Sequence, residues 1–253
     1  MAPDGQRASL IPLRSFSSVA MLDIPIWPII NFEDGALAMQ TVSVEDAVAM
    51  IPNGASLMIG GFMGVGCPEP LIDEIVSQGK CDLEIIANDT AVRGRGIGKL
   101  IDAGLVSRAV VSHIGLNHEA QRQMIAGKIA LELVPQGTLI ERIRAGGYGL
   151  GGVLTATGVG TVVEADKQRF DLGGEPYLLE TALRADFALI NAFLADYMGN
   201  LSYALTARNF NPIIAMAART TIVAAEHIVP IGVIAPDHVA TPAPLVDFLV
   251  ANG

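Results

Sequence analysis

The sequence predicts an α/β protein with an open, mostly parallel sheet and helices on both faces. From Ser43 onward, short runs of Val, Ile, Leu and Ala alternate with helical stretches of roughly ten residues, the order that sets parallel strands side by side with helical crossovers. Composition agrees. The chain is 51% hydrophobic but only 5% aromatic, with 27 glycines, which suits small aliphatic strands buried on both faces better than an all-β sandwich. At 253 residues it can bury one sizeable core, near the upper limit for a single domain.

The elements follow in order. Ser43, with Asp46 three residues on, reads as a capping box opening a helix through Ile51. Asn53-Gly54 turns the chain into a short buried strand, Leu57 to Ile59. After a glycine cluster, Pro70 to Ser77 carries Leu71, Ile72, Ile75 and Val76 at helical spacing, with Gly79 as its stop. The unit then repeats in kind. Leu83 to Ala87 is a strand, Ile97 to Ala103 a helix closed by Gly104, and Arg108 to Ser112 a strand. Asn117 caps a helix ending at Gly127, Leu131 to Val134 is a fourth strand, and Thr138 to Ala145 a fourth helix. The glycine-rich stretch from Gly146 to Gly152 and the Thr157-Gly158-Val159-Gly160 run read as a functional loop or a crossing point. Phe170 to Leu172 and Tyr177 to Leu179 form a hairpin across Gly173-Gly174. Strands at Phe187 to Ile190, Leu201 to Leu205 and Thr221 to Ala224, with a helix at Ile213 to Ala218, complete the sheet layer. Residues 1–38, with recurrent prolines and clustered serines, are expected to be poorly ordered, leaving 39–253 as the folded domain.

Sixteen Lys plus Arg against 26 Asp plus Glu give a net charge of −10, which argues against nucleic acid or an anionic membrane as partner. Anionic small molecules remain open to it, because backbone N–H groups bind anions whatever the average charge. Cys67 and Cys81 alone support neither a disulfide framework nor a metal site, and the four histidines show no ligand spacing. No metal is expected. The apolar run from Val19 to Ile30 is broken by Asp23, Pro25 and Pro28 and is too short to span a bilayer, so a cytoplasmic setting is expected.

Three glycine motifs compete as ligand loops. Gly147-x-Gly149-x-x-Gly152 matches the dinucleotide fingerprint in form, but a helix precedes it and nothing helical follows. Gly94-x-Gly96-x-Gly98-Lys99 has the wrong spacing for a phosphate loop, and Leu100 stands where a metal-binding hydroxyl belongs. The third has the right context. Gly60, Gly61, Phe62, Met63, Gly64, Val65 and Gly66 run from a strand into a helix, where glycines let backbone N–H groups approach a ligand and the helix N-terminus adds positive dipole. A strand-to-helix turn without a ligand is the plain competing reading.

The segment Asn53-Gly54-x-x-Leu57-Met58-Ile59-Gly60-Gly61-Phe62-x-x-x-Gly66-x-Pro68 resembles the first signature of the family I coenzyme A transferases, in their α subunit. The likeness continues through Ile86-Ala87-Asn88-Asp89-Thr90, Val134-Pro135-Gln136-Gly137-Thr138-Leu139-Ile140-Glu141, Thr157-Gly158-Val159-Gly160-Thr161, Gly199-Asn200-Leu201, Ala207-Arg208-Asn209-Phe210-Asn211-Pro212 and Pro236-Asp237-His238, and so covers nearly everything after Met39. Gly60 to Gly64 and Ser112-His113-Ile114-Gly115 look closest to the acetate/acetoacetate branch.

The resemblance implies a CoA-transferase-like fold and ping-pong transfer of CoA between short-chain acyl-CoA and a carboxylate acceptor. In that scheme a glutamate attacks the thioester and holds CoA covalently until the acceptor arrives. The family carries this glutamate in a Glu-Asn-Gly motif of the β subunit; this sequence contains no Glu-Asn pair, so the nucleophile is expected from a separate chain and a hetero-oligomer is implied. Coenzyme A enters as substrate, with no permanently bound cofactor. The Gly60 to Gly66 loop resembles the CoA-binding segment. Asn88 and Gln136, each following a predicted strand, are the candidate amide donors to the developing oxyanion. Cys67 lacks a basic partner and reads as a small filler.

Other readings keep the fold and change the function. A 3-oxoadipate or succinyl/3-oxoacid transferase chain would use the same site. A sugar-phosphate isomerase-like enzyme would lean on Asp89 and Glu164 as acid and base. A ligand-sensing regulator fits less well, for want of a basic nucleic-acid-binding segment.

Overall fold

The computed structural model describes residues 39–251. The poor order expected of 1–38 concerns residues outside that range. Twelve strands and six α-helices are present among the described residues: β1 (Thr41–Val42), α1 (Val44–Ala49), β2 (Ser56–Ile59), α2 (Glu69–Ser77), β3 (Leu83–Ile86), α3 (Gly98–Asp102), β4 (Val106–Val111), α4 (His118–Ile125), β5 (Ala130–Leu133), α5 (Gln136–Gly147), β6 (Gly152–Thr155), β7 (Arg169–Leu172), β8 (Glu175–Thr181), β9 (Ala185–Asp196), β10 (Leu201–Ser202), α6 (Asn211–Ile214), β11 (Ala218–Val229) and β12 (Phe248–Ala251).

The main sheet runs β1-β12-β11-β9-β2-β3-β4-β5 with every neighbouring pair parallel; only β10, an addition to β9, is antiparallel. The chain steps outward from β2 through β3 and β4 to β5, then returns to add β9, β11 and β12 on the other side of β2. Strand order therefore reverses between β2 and β9. In an open α/β sheet the crevice outside the carboxyl ends of such a pair is the ligand site.

Period-two alternation divides the core. Leu57, Ile59, Ile85, Ala87, Ala109 and Val111 face one layer, with Ala47, Val48, Leu71, Ile72, Ile75, Leu100 and Ile101 of α1, α2 and α3. Met58, Ile86, Val110, Ala188 and Ile190 face the other, with Leu139 and Ile143 of α5 and Ile214 of α6. Helices thus cover both faces, as expected. Burying strands on both sides is what demanded their unbroken aliphatic sequences.

Helix ends obey local chemistry. Ser43 accepts a hydrogen bond from the Asp46 N–H at the start of α1, and Asn117 accepts from the N–H groups of Glu119 and Ala120 at the start of α4. Gly79, Gly104 and Gly127 all take positive φ just beyond helices, as stop signals should.

Several boundaries differ from the sequence expectation. Helix α1 ends at Ala49, two residues short of Ile51, because Pro52 disfavours helical backbone at the residue before it. The stretch from Leu201 to Leu205 yields only two strand residues before a 3-10 turn over Leu205–Arg208, and the expected helix at Ile213 to Ala218 sits earlier, at Asn211–Ile214. Proline at 212 suits a first helical turn, and β11 already begins at Ala218. The hairpin across Gly173-Gly174 does form, but not in the main sheet. With β6 it makes a separate three-stranded antiparallel sheet, β6-β8-β7. The glycine-rich run before it is a crossing point: a Cβ on Gly146 would stand 1.9 Å from the Leu183 carbonyl oxygen, and one on Gly152 2.4 Å from that of Glu180.

Candidate functional site

The glycine loop after β2 is a miniature hairpin. Phe62 and Val65 exchange backbone hydrogen bonds at 3.0 and 2.9 Å around Met63-Gly64, whose φ values are +51° and +85°. Two successive positive φ angles define the tight turn that matches strand twist, and a glycine in the second place lowers its cost. The turn pushes side chains outward: Phe62, Met63 and Val65 are 44, 41 and 45% exposed.

This closure corrects one expectation. The N–H groups of Gly60 to Gly66 were expected to be available to a ligand, but Gly60 donates to the Leu189 carbonyl, Gly61 to Asn209 Oδ1, Phe62 to Val65, Met63 to Asp89 Oδ2 and Val65 to Phe62. Gly64 and Gly66 alone keep N–H groups without a partner among the described residues. The loop is therefore an apolar finger rather than a nest of donors. Its glycines are needed for packing: a Cβ on Gly60 would lie 1.8 Å from Asn211 Oδ1, and one on Gly66 2.7 Å from the Ala207 carbonyl oxygen.

Two asparagines far along the chain hold the finger. Asn209 accepts from the Gly61 N–H and donates to the Val65 carbonyl, both at 3.0 Å, so it spans both sides of the hairpin. Asn211, fully buried, donates to the carbonyls of Gly66 and Ala207 and accepts from the Asn191 N–H. Both residues fall within a motif of the sequence, which by itself assigned neither a role. Their spacing of two, in an irregular turn before a proline, was the available signal.

Asn88 and Gln136 meet, as their positions after β3 and β5 implied. Gln136 Nε2 donates to Asn88 Oδ1 at 2.6 Å, and Asn88 Nδ2 donates to Asp89 Oδ2 at 2.7 Å. Their settings differ. Asn88 is 1% exposed, and its carbonyl is held by both the N–H and the hydroxyl of Ser112 at the end of β4, whereas Gln136 is exposed. Asp89 is buried and accepts from the N–H groups of Met63 at 2.9 Å and Ala91 at 2.6 Å as well. Hairpin, buried carboxylate and amide pair thus form one continuous network at the carboxyl edge of the sheet, next to the point where strand order reverses.

Cys67 fills space behind the hairpin. Its sulfur would meet a Cβ on Gly61 at 2.2 Å and one on Gly96 at 2.6 Å. Burial, reinforced by the charges of Glu69 and Asp89, pushes its thiol up to about 12, so it carries no thiolate near neutrality. Lys99, in the rejected glycine motif, is held by Glu69 at 2.7 Å and Asp73 at 2.5 Å. Glu164 is engaged by the Gly160 N–H and Arg169 beside the second sheet; no contact joins it to Asp89 as an acid/base pair. Among the described residues, no cluster of three metal-ligating side chains occurs, and no helix is long and apolar enough to cross a membrane.

Comparison with known proteins identifies the family of the chain. The coenzyme A transferase family model matches residues 41–252. The chain belongs to the coenzyme A transferase family. It is 50% identical over 211 residues to the alpha subunit of the acetate CoA-transferase of Escherichia coli, covering 83% of this chain and 96% of that one. It is 44% identical to one of the subunits of the succinyl-CoA:3-ketoacid coenzyme A transferase of Xanthomonas campestris, covering 86% and 90%. Among solved structures, the apoenzyme of an acyl-CoA transferase from Escherichia coli superposes with a TM-score of 0.75 at 25% identity, covering 85% of this chain; this chain spans about half of that longer one, 47%. The match to relatives named as alpha subunits makes this coenzyme A transferase an α-type chain.

Proposed function

We propose that this coenzyme A transferase chain is the α subunit of a two-chain enzyme of the acetate/acetoacetate type, its folded domain spanning 39–253. CoA passes between acetyl-, acetoacetyl- or butyryl-CoA and a carboxylate acceptor. The attacking glutamate resides on the β subunit, and turnover requires both chains. The reading is carried by one observation: Phe62, Met63 and Val65 stand exposed on a hairpin at the reversal of strand order, beside an exposed amide, Gln136, with no glutamate among the described residues in hydrogen-bonded contact with either. Such a half-site suits a pantetheine arm packed on the apolar finger and a nucleophile arriving from another polypeptide.

The chemistry follows from the amide. Attack on a thioester carbonyl develops an oxyanion, and a preorganised N–H donor stabilises it by about 3 kcal/mol in favourable cases. Gln136 has one N–H on Asn88 and a second that points to no protein acceptor among the described residues, so Gln136 is the direct donor and Asn88 fixes its orientation. The hairpin contributes apolar contact, and the Gly64 and Gly66 N–H groups are its remaining donors.

The acetate branch is supported by the 50% identity to one acetate CoA-transferase alpha subunit, while an acetoacetyl-CoA:acetate/butyrate alpha subunit at 44% and succinyl-CoA:3-ketoacid chains at 45% and 44% stand level with each other. Acceptors of the two branches differ by contacts worth only a few kcal/mol. The deciding experiment co-purifies this chain with its β-type companion and follows CoA exchange from acetoacetyl-CoA to acetate, and from succinyl-CoA to acetoacetate, with borohydride trapping of the glutamyl thioester. Exchange with acetate and a label on the companion are expected. A label on this chain, or full turnover by this chain alone, overturns the division of labour.

A further inference from the structure

Asp89 is a buried carboxylate to which the proposed mechanism gives no part. It is 6% exposed and forms no ion pair with Lys, Arg or His among the described residues. Its oxygens accept three hydrogen bonds, from the Met63 N–H, the Ala91 N–H and Asn88 Nδ2. Such a buried group without a counter-ion persists where its donors are fixed around it, and here they belong to the two halves of the site.

We propose that Asp89 is a positioning residue that acts through Asn88 to set which face Gln136 presents to the thioester, and that the same carboxylate locks the Phe62–Val65 finger in register with that amide. The inference rests on the transferase reading. An acceptor-only carboxylate beside Asn88 forces Nδ2 toward itself and Oδ1 toward Gln136. That orientation in turn requires Gln136 to point Nε2 inward, leaving its second N–H, not its carbonyl, on the reacting side. An amide turned the other way would present a carbonyl oxygen to a developing oxyanion. Meanwhile Oδ2 takes the Met63 N–H at the one non-glycine residue of the turn with positive φ, so a single atom ties finger to amide.

The test uses the two-chain enzyme carrying Asp89→Asn, Gln136→Ala, and both together. Asp89→Asn keeps the shape but offers a donor where only an acceptor served. It is expected to lower kcat about ten- to a hundredfold, because the donor lost through Asn88 belongs to the transition state, and to raise KM for acyl-CoA about tenfold, because the finger loses its tie to the same carboxylate. Added to Gln136→Ala it is expected to lower kcat no further than about twofold, since both changes remove the same donor. Asn88→Ala cuts the chain of hydrogen bonds while leaving the buried charge and the finger in place. It should show the same loss of kcat and the same lack of addition, and it carries the test should Asp89→Asn fail to fold. Full kcat in the single variants, or losses that multiply in the doubles, overturns the proposal while leaving the transferase reading intact. A wild-type pair that exchanges no CoA sinks the reading itself.

Discussion

At the scale of single residues, glycine positions near one another in sequence carry different burdens, and substitution separates them. Gly54 takes φ +78° with open space where a Cβ would go, so Gly54→Ala meets backbone strain alone. Gly60 has its missing Cβ occupied by Asn211 Oδ1, so Gly60→Ala drives the asparagine from its four partners. Gly54→Ala is expected to cost about 1 kcal/mol in urea unfolding and to leave CoA exchange intact. Gly60→Ala is expected to cost about 3 kcal/mol and to abolish exchange in the two-chain assay, as overpacking at a fully buried contact does. Equal behaviour of the two would show that the Asn211 contact does not hold the site.

Elements matter through what they bring from a distance. The turn ahead of α6 buries Phe210 in the core and also delivers Asn209 to both edges of the hairpin, as many as 148 residues away in sequence. Asn209→Ala removes one acceptor and one donor from the finger and leaves Asp89 and Gln136 untouched. Steady-state kinetics should therefore show KM for acyl-CoA raised about tenfold with kcat within about threefold, the pattern of lost binding common to ground and transition states. A fall in kcat with KM unchanged would assign the turn to the chemical step instead.

Across the whole molecule, charged side chains join the two sheets. Arg142 of α5 donates to Glu132 of β5 at 2.7 Å and to the Thr181 carbonyl of β8 at 2.8 Å, and lies 3.8 Å from Glu180, which Lys167 also pairs. Arg108 continues the chain from Glu132 to Glu84 of β3. Arg142 is 8% exposed at its side chain and Glu180 2%, so removing the arginine leaves the buried Glu180 to Lys167 alone, and also leaves the Thr181 carbonyl without its guanidinium donor. Arg142→Met is expected to lose about 3 kcal/mol by urea unfolding, whereas an exposed pair such as Arg144–Glu141 should be nearly silent.

The same network sets an acid limit. Burial alone would raise the Glu132 carboxyl, but Arg142 and Arg108 overcome it and hold the group below the usual glutamate range. A folded-state value lower than the unfolded one contributes stability that is present at neutral pH and lost as pH falls through the depressed value. The urea midpoint should decline as pH drops from about 5 to 3, and Glu132→Gln should flatten that decline. A wild-type profile as flat as the variant's would remove this pair from the acid response.

The sequence by itself determined the alternation of strands and helices, the caps at Ser43 and Asn117, and the glycine loop as the place to look, because those signals are local: periods of two and 3.6, a side chain reaching its own backbone, a glycine where φ must be positive. It also brought Asn88 and Gln136 to one sheet edge, since both follow parallel strands. Only the tertiary structure decided that the loop closes on itself and presents side chains instead of N–H groups, that β6, β7 and β8 leave the main sheet, and that Asn209, Asn211 and Asp89 bond to the loop. Those outcomes depend on which donor meets which acceptor across as many as 148 residues, and no periodicity along a chain records its partners through space.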